Sequence, residues 1–253
     1  MKHIAAALMF FTRLPFWKLK SFSLPAEYYR QVVNYWAVAG WLTGGIMAAT
    51  LWLSAQVLPV SLAVLLAIAS RLITTGALHE DGFADFLDGF GGGTTKERIL
   101  AIMKDSHIGV FGVIGLTIYF LLLHQTLSAL PLHLCVIAIL TGDPLCKFVG
   151  SQITLFLPYA RNEETSKTKL VYKQMSFKAF SVSALFGLLP LLLIPNASWL
   201  AVILVPLFVF VLMIALFRKK LNGYTGDCCG ALFIICELSY YLGVLLLYSI
   251  VRA

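Results

Sequence analysis

Residues 198–217 read SWLAVILVPLFVFVLMIALF, a run of 20 residues without an ionisable side chain. A helix of about 20 apolar residues is long enough to cross the hydrocarbon core of a bilayer. Across the whole chain, 60% of the 253 residues are hydrophobic and 12% are charged, against roughly 25% charged in soluble domains. The chain is therefore predicted to be a polytopic integral membrane protein, an all-α bundle of transmembrane helices.

Six further apolar runs accompany this one, and polar segments separate them. We find no internal repeat and no soluble domain, so we predict a single integral membrane domain over residues 1–253. Residues 1–33 mix basic and aromatic side chains, which suits the membrane interface, and residues 79–106 form a polar, glycine-rich segment. The predicted spans are Tyr35–Gln56, Val60–Leu78, Ile108–Leu130, His133–Leu157, Phe177–Ile194, Ser198–Phe217 and Ala231–Val251.

The basic residues predict the orientation of the seven spans. Lys and Arg in short loops mark the cytoplasmic face, and sixteen of the 19 fall in the N-terminal segment and in alternate loops. The N-terminus is therefore predicted inside and the C-terminus outside. Because these residues form no stripe, the net charge of +7 indicates a lipid bilayer, not nucleic acid, as the partner. The sixteen are Lys2, Arg13, Lys18, Lys20, Arg30, Lys96, Arg98, Lys104, Arg161, Lys167, Lys169, Lys173, Lys178, Arg218, Lys219 and Lys220.

The most informative polar segment is residues 79–93, HEDGFADFLDGFGGG. On a helix at about 100° per residue, Asp81, Asp85 and Asp88 fall within about 60° of one another, opposite an apolar face. Clustered carboxylates beside a membrane suit Mg²⁺, which pairs carboxylates with substrate phosphates. Gly82 and Gly89 lie beside the acidic face, where a bulky ligand could approach the backbone. An ordinary solvated helix surface is the alternative, but such surfaces usually mix both signs of charge.

Other polar residues each leave two interpretations open. The sequence Thr225-Gly226-Asp227 is either a turn with an N-cap for the last helix or part of a metal or substrate site. Arg98 and Lys104 either bind phosphate or contact lipid headgroups. His79 is either a structural hydrogen-bond donor or a catalyst.

Ionisable residues within the spans are predicted to pair inside the bundle. Asp143 and Lys147 are four residues apart on one helix, and an unpaired charge there would cost about 2.5–3.5 kcal/mol on insertion scales. Arg71 is expected to point into the bundle. The five cysteines form no CxxC pair, so neither a zinc site nor a disulfide framework is predicted.

Several motifs together strongly resemble the cobalamin synthase family, also called adenosylcobinamide-GDP ribazoletransferase. They occur in order from residue 12 to residue 237 and so extend over nearly the whole chain. The acidic run is highly specific, and the other motifs support it. The motifs are Thr12-Arg13-Leu14-Pro15, His79-x-Asp81-Gly82-x-Ala84-Asp85-x-x-Asp88-Gly89, Ile102-Met103-Lys104-Asp105-Ser106, Ile108-Gly109 and Thr225-Gly226-Asp227-x-x-Gly230-Ala231.

The resemblance implies an enzyme that joins adenosylcobinamide-GDP to α-ribazole or its 5′-phosphate with release of GMP, using Mg²⁺. It implies a bacterial or archaeal cytoplasmic (inner) membrane with the active site on the cytoplasmic side, and we expect the ribazole 5′-hydroxyl to attack. A homo-oligomer, or association with other nucleotide-loop enzymes, stays open. The expected residues are His79, Asp81, Asp85 and Asp88 for catalysis, Asp81, Asp85, Asp88 and Asp227 for the metal, and Arg13, Gly82, Gly89, Arg98, Lys104, Asp105, Thr225 and Asp227 for substrate or phosphate.

Two positions depart from the family pattern. Gly142-Asp143 stands where the family commonly has Ser-Arg, and Ile234 stands where a Glu often occurs, whereas Glu237 matches a second family acid. The first change removes a cation that would bind phosphate, and Lys147 is the expected replacement.

Two other functions fit parts of the pattern. A CDP-alcohol phosphotransferase also uses clustered aspartates, but Asp85 stands where that signature has Arg, and Leu78 stands where it has Asp. A cation transporter would hold its ionisable residues near the bilayer midplane, whereas here only Asp143, Lys147 and Arg71 are expected to be deep.

Overall fold

The computed structural model describes residues 2–18, 24–161 and 171–252, and within these ranges it contains no β-strand. Lys20, Lys167 and Lys169, which the orientation argument uses, lie outside the described residues. The α-helices are α1 (Lys2–Phe11), α2 (Trp36–Ser54), α3 (Val60–Thr75), α4 (Leu78–Gly92), α5 (Lys96–Ile102), α6 (Val110–Ser128), α7 (Leu132–Ser151), α8 (Ile153–Phe156), α9 (Phe177–Leu188), α10 (Leu204–Leu221) and α11 (Gly226–Arg252). Short 3₁₀ segments cover Phe16–Lys18, Ala26–Tyr35, Leu189–Leu193 and Ala197–Ile203.

The prediction of a helical membrane bundle is confirmed, and a helix occupies each of the seven predicted spans. Among the described residues, five continuous helical stretches are long and apolar enough to cross a bilayer. The predicted fifth span is a shorter apolar helix, Phe177–Leu193. The exact number of crossings and their orientation stay predictions. The five stretches are Ala26–Ser54, Val110–Ser128, Leu132–Phe156, Ala197–Leu221 and Gly226–Arg252.

The predicted second span, Val60–Leu78, is broken in the structure. Helix α3 ends at Thr75, and Gly76 and Ala77 both adopt left-handed backbone angles, with φ of 65° and 54°. A left-handed glycine just past the last helical turn is a common helix stop. The chain then turns by 89° into α4, so the acidic segment is a separate helix set nearly at right angles to α3.

The core is built where α2 packs along α7 and where α11 packs along α4. Helix α4 also packs on α6, and α1 packs on the 3₁₀ segment Ala26–Tyr35. The glycine-rich exit of α4 acts as a helix stop, since the helix ends at Gly92. These contacts surround α4 with α3, α6 and α11 and so position every side chain of the acidic segment.

Candidate active site

The site begins at the crossing of α4 and α11. A Cβ built on Gly82 would lie 3.0 Å from the Cα of Asp227, and one built on Gly230 would lie 3.0 Å from the carbonyl oxygen of His79. Small residues allow two helix backbones to approach this closely. The crossing sets Asp81, next to Gly82, beside Asp227 in the first turn of α11.

The two glycines of the acidic segment have protein neighbours in the direction that a side chain would take, and their predicted place beside a ligand stays a prediction. A Cβ on Gly82 would meet the backbone of Asp227. Gly89 faces α5, where a Cβ would lie 2.4 Å from the Cγ of Met103. Both positions serve helix packing because the chain folds back on α4 from two sides.

Thr225 caps α11, as one of its two interpretations predicts. Its Oγ1 accepts a hydrogen bond from the backbone N–H of Cys228 at 3.3 Å and lies 3.4 Å from Oδ2 of Asp227. Just upstream, the backbone of Tyr224 bonds to Pro158 and Ala160 at 3.0 and 2.8 Å. This isolated parallel bridge brings the loop after α8 to the start of α11. Tyr224 is fully buried there, and burial raises the pKa of its phenol.

An enclosed cavity of about 210 Å³ lies at this crossing. Five predicted site residues line it: His79, Asp81, Gly82, Thr225 and Asp227. The remaining walls are mainly aromatic and aliphatic, apart from one arginine. They are Phe10, Phe11, Val33, Trp36, Leu78, Tyr159, Arg161, Tyr172, Gly226, Cys229 and Gly230.

Sequence reasoning missed Arg161 as a site residue. It is only 8% exposed, and its Nη2 donates to the carbonyl oxygen of Leu100 at 3.0 Å. In the sequence it is one basic residue among several in a loop, so no local signal separates it from its neighbours. The backbone bridge at Tyr224 brings Arg161 to the cavity, and it joins segments more than 60 residues apart.

His79 is packed among aromatic rings. Its ring centroid lies 4.9 Å from that of Phe233, 5.2 Å from that of Trp36 and 6.0 Å from that of Phe11. The side chain is 2% exposed, and its Nε2 has no hydrogen-bond partner among the described residues. His79 therefore packs in the cavity wall, and its catalytic role stays a prediction.

A second space, an open groove of about 600 Å³, adjoins the cavity and shares Leu78 and Asp81 with it. Arg13, Asp81 and Asp85 line this groove. The backbone N–H of Arg13 donates to the carbonyl oxygen of Thr74 at 2.7 Å, which fixes the N-terminal segment beside the α3–α4 corner. Two of the three predicted carboxylates and a predicted cation therefore line one groove.

Asp88 is placed differently from Asp81 and Asp85. Its carboxylate oxygens accept hydrogen bonds from the backbone N–H groups of Gly109 and Gly112 at 2.7 and 2.9 Å. These amides belong to the first turn of α6, which has no intrahelical acceptors for them, and a carboxylate is favoured there by the helix dipole. Asp88 is only 8% exposed, so the structure makes it the anchor between α4 and α6.

A third recess, of about 510 Å³, lies on the Asp88 side of α4 and is lined by Arg98 and Asp105. The backbone N–H of His107, and then its ring, bond to Asp105 and lower the pKa of that exposed carboxyl. Lys104 is exposed in the same loop. None of these three predicted phosphate-binding residues lines the cavity or the groove, although the recess adjoins the groove at Ile108.

In the part of the chain that the structure describes, the interior holds two buried ionic clusters. Lys147 and Asp143 form the predicted ion pair, and Thr43 bonds to both, accepting from Lys147 at 2.7 Å and donating to Asp143 at 3.0 Å. Because Lys147 is fully buried in this pair, the expectation that it replaces a phosphate-binding cation at the site is wrong.

The second cluster centres on Arg71, which points into the bundle as predicted. Its guanidinium forms ion pairs with Glu237 and with Glu80, the latter at 3.3 Å, and a hydrogen bond to Tyr119 at 2.5 Å. Tyr241 donates to the second oxygen of Glu237 at 2.9 Å. Glu80 and Glu237 are buried in the protein as well, whereas the expected depth of Asp143, Lys147 and Arg71 in the bilayer stays a prediction.

The carboxylates of the groove could supply only part of the coordination shell of Mg²⁺. No group of three His, Cys, Asp or Glu side chains in the described ranges could hold a metal ion by itself. Mg²⁺ is usually bound through one or two carboxylates together with substrate phosphates and water. Asp81 and Asp85 provide two carboxylates in one groove, which suits an ion completed by a diphosphate.

The fold and the site define a polytopic helical membrane protein with an acidic groove beside an enclosed aromatic cavity. A model of the family described as cobalamin-5-phosphate synthase matches residues 3–245. The chain belongs to this family. No solved structure matches it.

Curated relatives agree over almost the full length. The chain is 35% identical over 247 residues to an adenosylcobinamide-GDP ribazoletransferase of Shewanella sp. (strain W3-18-1), which covers 96% of this chain and 94% of the relative. It is 35% identical over 244 residues to the protein of the same name from Shewanella frigidimarina, with coverage of 94% and 92%. The corresponding Shewanella oneidensis protein is 34% identical over 247 residues, with coverage of 96% and 94%.

Proposed function

We propose that this protein joins adenosylcobinamide-GDP to α-ribazole or its 5′-phosphate and releases GMP. The observation that supports this best is the position of Asp81 at the junction of the open groove and the enclosed cavity. Family membership over residues 3–245 supplies the substrates. The reaction is a phosphoryl-group transfer to an alcohol.

The bond changes follow from the substrates. A ribose hydroxyl oxygen attacks the phosphorus attached to cobinamide, the bond from that phosphorus to the GMP oxygen breaks, and GMP leaves with the electron pair. The expected 5′-hydroxyl attack is wrong for the phosphorylated acceptor, because that oxygen is already esterified and a cobalamin 5-phosphate product keeps the phosphate. Another ribose hydroxyl must then attack and lose its proton to a base.

The residues in and around the groove have different proposed roles in this reaction. Arg13 would attract the anionic diphosphate, and Asp81 and Asp85 would hold Mg²⁺. When bound, the ion neutralises charge on the diphosphate and improves GMP as a leaving group. Asp227, across the helix crossing from Gly82, is the candidate to orient the acceptor hydroxyl and take its proton. Asp88 acts indirectly, because its bonds to Gly109 and Gly112 hold α4 in place.

The protein is proposed to lie in the cytoplasmic membrane, with the groove on the cytoplasmic side. Basic residues in alternate short loops support this orientation, and the nucleotide-activated substrate is a water-soluble compound of the cytoplasm. No observation favours a cation transporter, since Asp143, Glu80 and Glu237 each pair with a buried cation.

The direct experiment incubates the purified protein in detergent or lipid with adenosylcobinamide-GDP, α-ribazole and Mg²⁺. Formation of cobalamin together with an equal amount of GMP is the expected result, and chelation of Mg²⁺ should abolish it. Cation flux in proteoliposomes without GMP release would reject the proposal in favour of a transporter.

A further inference from the structure

The enclosed cavity has a wall of aromatic rings that the proposed reaction does not yet use. Ring contacts run from Trp36 through Phe11, Phe10 and Tyr172 to Tyr159, with centroid separations of 5.0, 5.0, 6.4 and 5.4 Å. All five line the cavity. Aromatic side chains with this density provide stacking surfaces for flat heterocyclic bases.

The size of the cavity limits what can enter it. Pockets for drug-sized ligands measure about 300–1,000 Å³, and this one measures about 210 Å³. A corrin macrocycle is too large for such a space, whereas a bicyclic base fits. The open groove of about 600 Å³ is the larger of the two spaces that share Asp81.

The arrangement of the two spaces matches the geometry of the transfer. In a phosphoryl transfer the attacking and leaving oxygens stand roughly in line on opposite sides of the phosphorus. The cavity and the groove meet at Leu78 and Asp81. A donor diphosphate in the groove and an acceptor reaching out of the cavity would therefore approach this junction from different sides.

We propose that the cavity is the acceptor pocket, in which the aromatic wall holds the flat, largely apolar benzimidazole base of α-ribazole and directs its ribose towards Asp81 and Asp227. This inference rests on the proposed function, because it names the site of one of the two substrates. A guanine base, whose edges need several hydrogen bonds, fits the apolar wall less well. Binding of the guanosine of the donor is the competing outcome of the test.

Gly226 offers a variant that fills the pocket with little disturbance of the fold. It lines the cavity, and a Cβ built there would meet only the Oη of Tyr172, at an ordinary 3.7 Å. We expect Gly226→Leu to raise the KM for α-ribazole by about tenfold or more, as extra atoms in an apolar pocket do. The KM for adenosylcobinamide-GDP should change by less than about twofold, because it reports binding in the other space.

Gly45 provides the matched control. It lies in α2, and a Cβ built on it meets nothing within 4 Å, so Gly45→Leu should leave both KM values unchanged. An unchanged KM for α-ribazole in a folded Gly226→Leu protein would overturn the inference. So would a rise confined to adenosylcobinamide-GDP, which would assign the cavity to the donor.

A measurement on the unaltered protein removes any dependence on the folding of a variant. The free dimethylated benzimidazole should inhibit competitively against α-ribazole and not against adenosylcobinamide-GDP. Absence of inhibition up to the solubility limit, or competition with the corrinoid, would contradict the inference. Failure of the proposed function is a separate result, since the unaltered protein would then form no cobalamin at any substrate concentration.

Discussion

Glu80 and Asp81 are neighbours in the sequence and carry the same charged group, and both border the groove, but α4 gives their carboxylates different exposure and different partners. Glu80 is 3% exposed and forms an ion pair with Arg71 inside the bundle. Asp81 is exposed at the junction of the groove and the cavity. One step of about 100° along a helix is enough to separate a carboxylate that joins helices from one that can meet a substrate.

The comparison extends to the whole set of acids. Carboxylates bonded to protein partners in the interior, such as Glu237, contribute to stability. Asp81 and Asp85 line the groove and are the carboxylates proposed to hold Mg²⁺, although like charges so close together disfavour the helix slightly. Substitution of an interior acid should therefore lower stability, whereas substitution of a groove acid should lower activity. The predictions below test this division.

The largest effect is expected from Glu237→Ala. This change leaves the buried guanidinium of Arg71 without its main partner, and removing one member of a buried pair costs about 3–5 kcal/mol. Thermal unfolding in detergent, followed by circular dichroism, should show a marked loss of stability. Glu97→Ala, at an exposed position of α5, is the control and should unfold like the parent. Equal stability of the two variants would refute the structural role of the interior acids.

Asp81→Asn should lower activity without lowering stability. It keeps the size of the side chain and removes the negative charge, so we expect unchanged stability and a kcat lower by about 10²–10³-fold, as for loss of one electrostatic contact to a transition state. Cobalamin formation at saturating substrate measures it, with Glu97→Gln as the control. Activity within a factor of three of the parent would remove Asp81 from the site.

Asp88→Ala tests a carboxylate that the sequence groups with Asp81 and the structure groups with the interior acids. Loss of the bonds to Gly109 and Gly112 should lower stability by about 1–2 kcal/mol, the usual range for a helix cap. Asp88→Asn, which keeps an acceptor oxygen, should lose less. If both variants lose activity while their unfolding temperatures stay at the parent value, Asp88 belongs with the metal ligands instead.

The smallest effects are expected from Arg98→Ala and Lys104→Ala. Both residues are exposed, and such substitutions usually change stability by less than about 0.5 kcal/mol. Assays in neutral detergent and in anionic liposomes separate their two interpretations. A higher KM for adenosylcobinamide-GDP in both media indicates phosphate binding, whereas weaker binding to anionic liposomes alone indicates contact with headgroups.

Local patterns predicted local structure well. The pair Asp143 and Lys147 lies within one helical turn, and the Thr225 cap lies at the start of the helix it serves, so both follow from spacing alone. The acidic face of α4 also follows from helical periodicity. These features depend on residues a few positions apart, where the geometry of a helix leaves few alternatives.

Features that depend on distant segments could not be predicted in this way. A helical projection gives the direction of Asp88 but not the neighbour it meets, and that neighbour is the first turn of α6, more than 20 residues later. Glu237 meets Arg71 across 166 positions, and Arg161 reaches the cavity through a backbone bridge. The bend after α3 was missed because Thr74, Thr75 and Gly76 are compatible with a continuing helix, and a single glycine does not by itself indicate a turn of this size.

The short helix before the corner between α3 and α4 is expected to affect the surrounding lipid. Helix α3 has 16 residues, which at about 1.5 Å each span roughly 24 Å, less than the roughly 30 Å of a hydrocarbon core. Helix α9 has 12 residues and continues into the 3₁₀ segment Leu189–Leu193, and both α3 and α9 pack against α2. Short helices are accommodated by local thinning of the bilayer. We expect headgroups and water to be drawn inward around the end of α3, beside the groove, so that a water-soluble nucleotide can reach the groove without a deep channel.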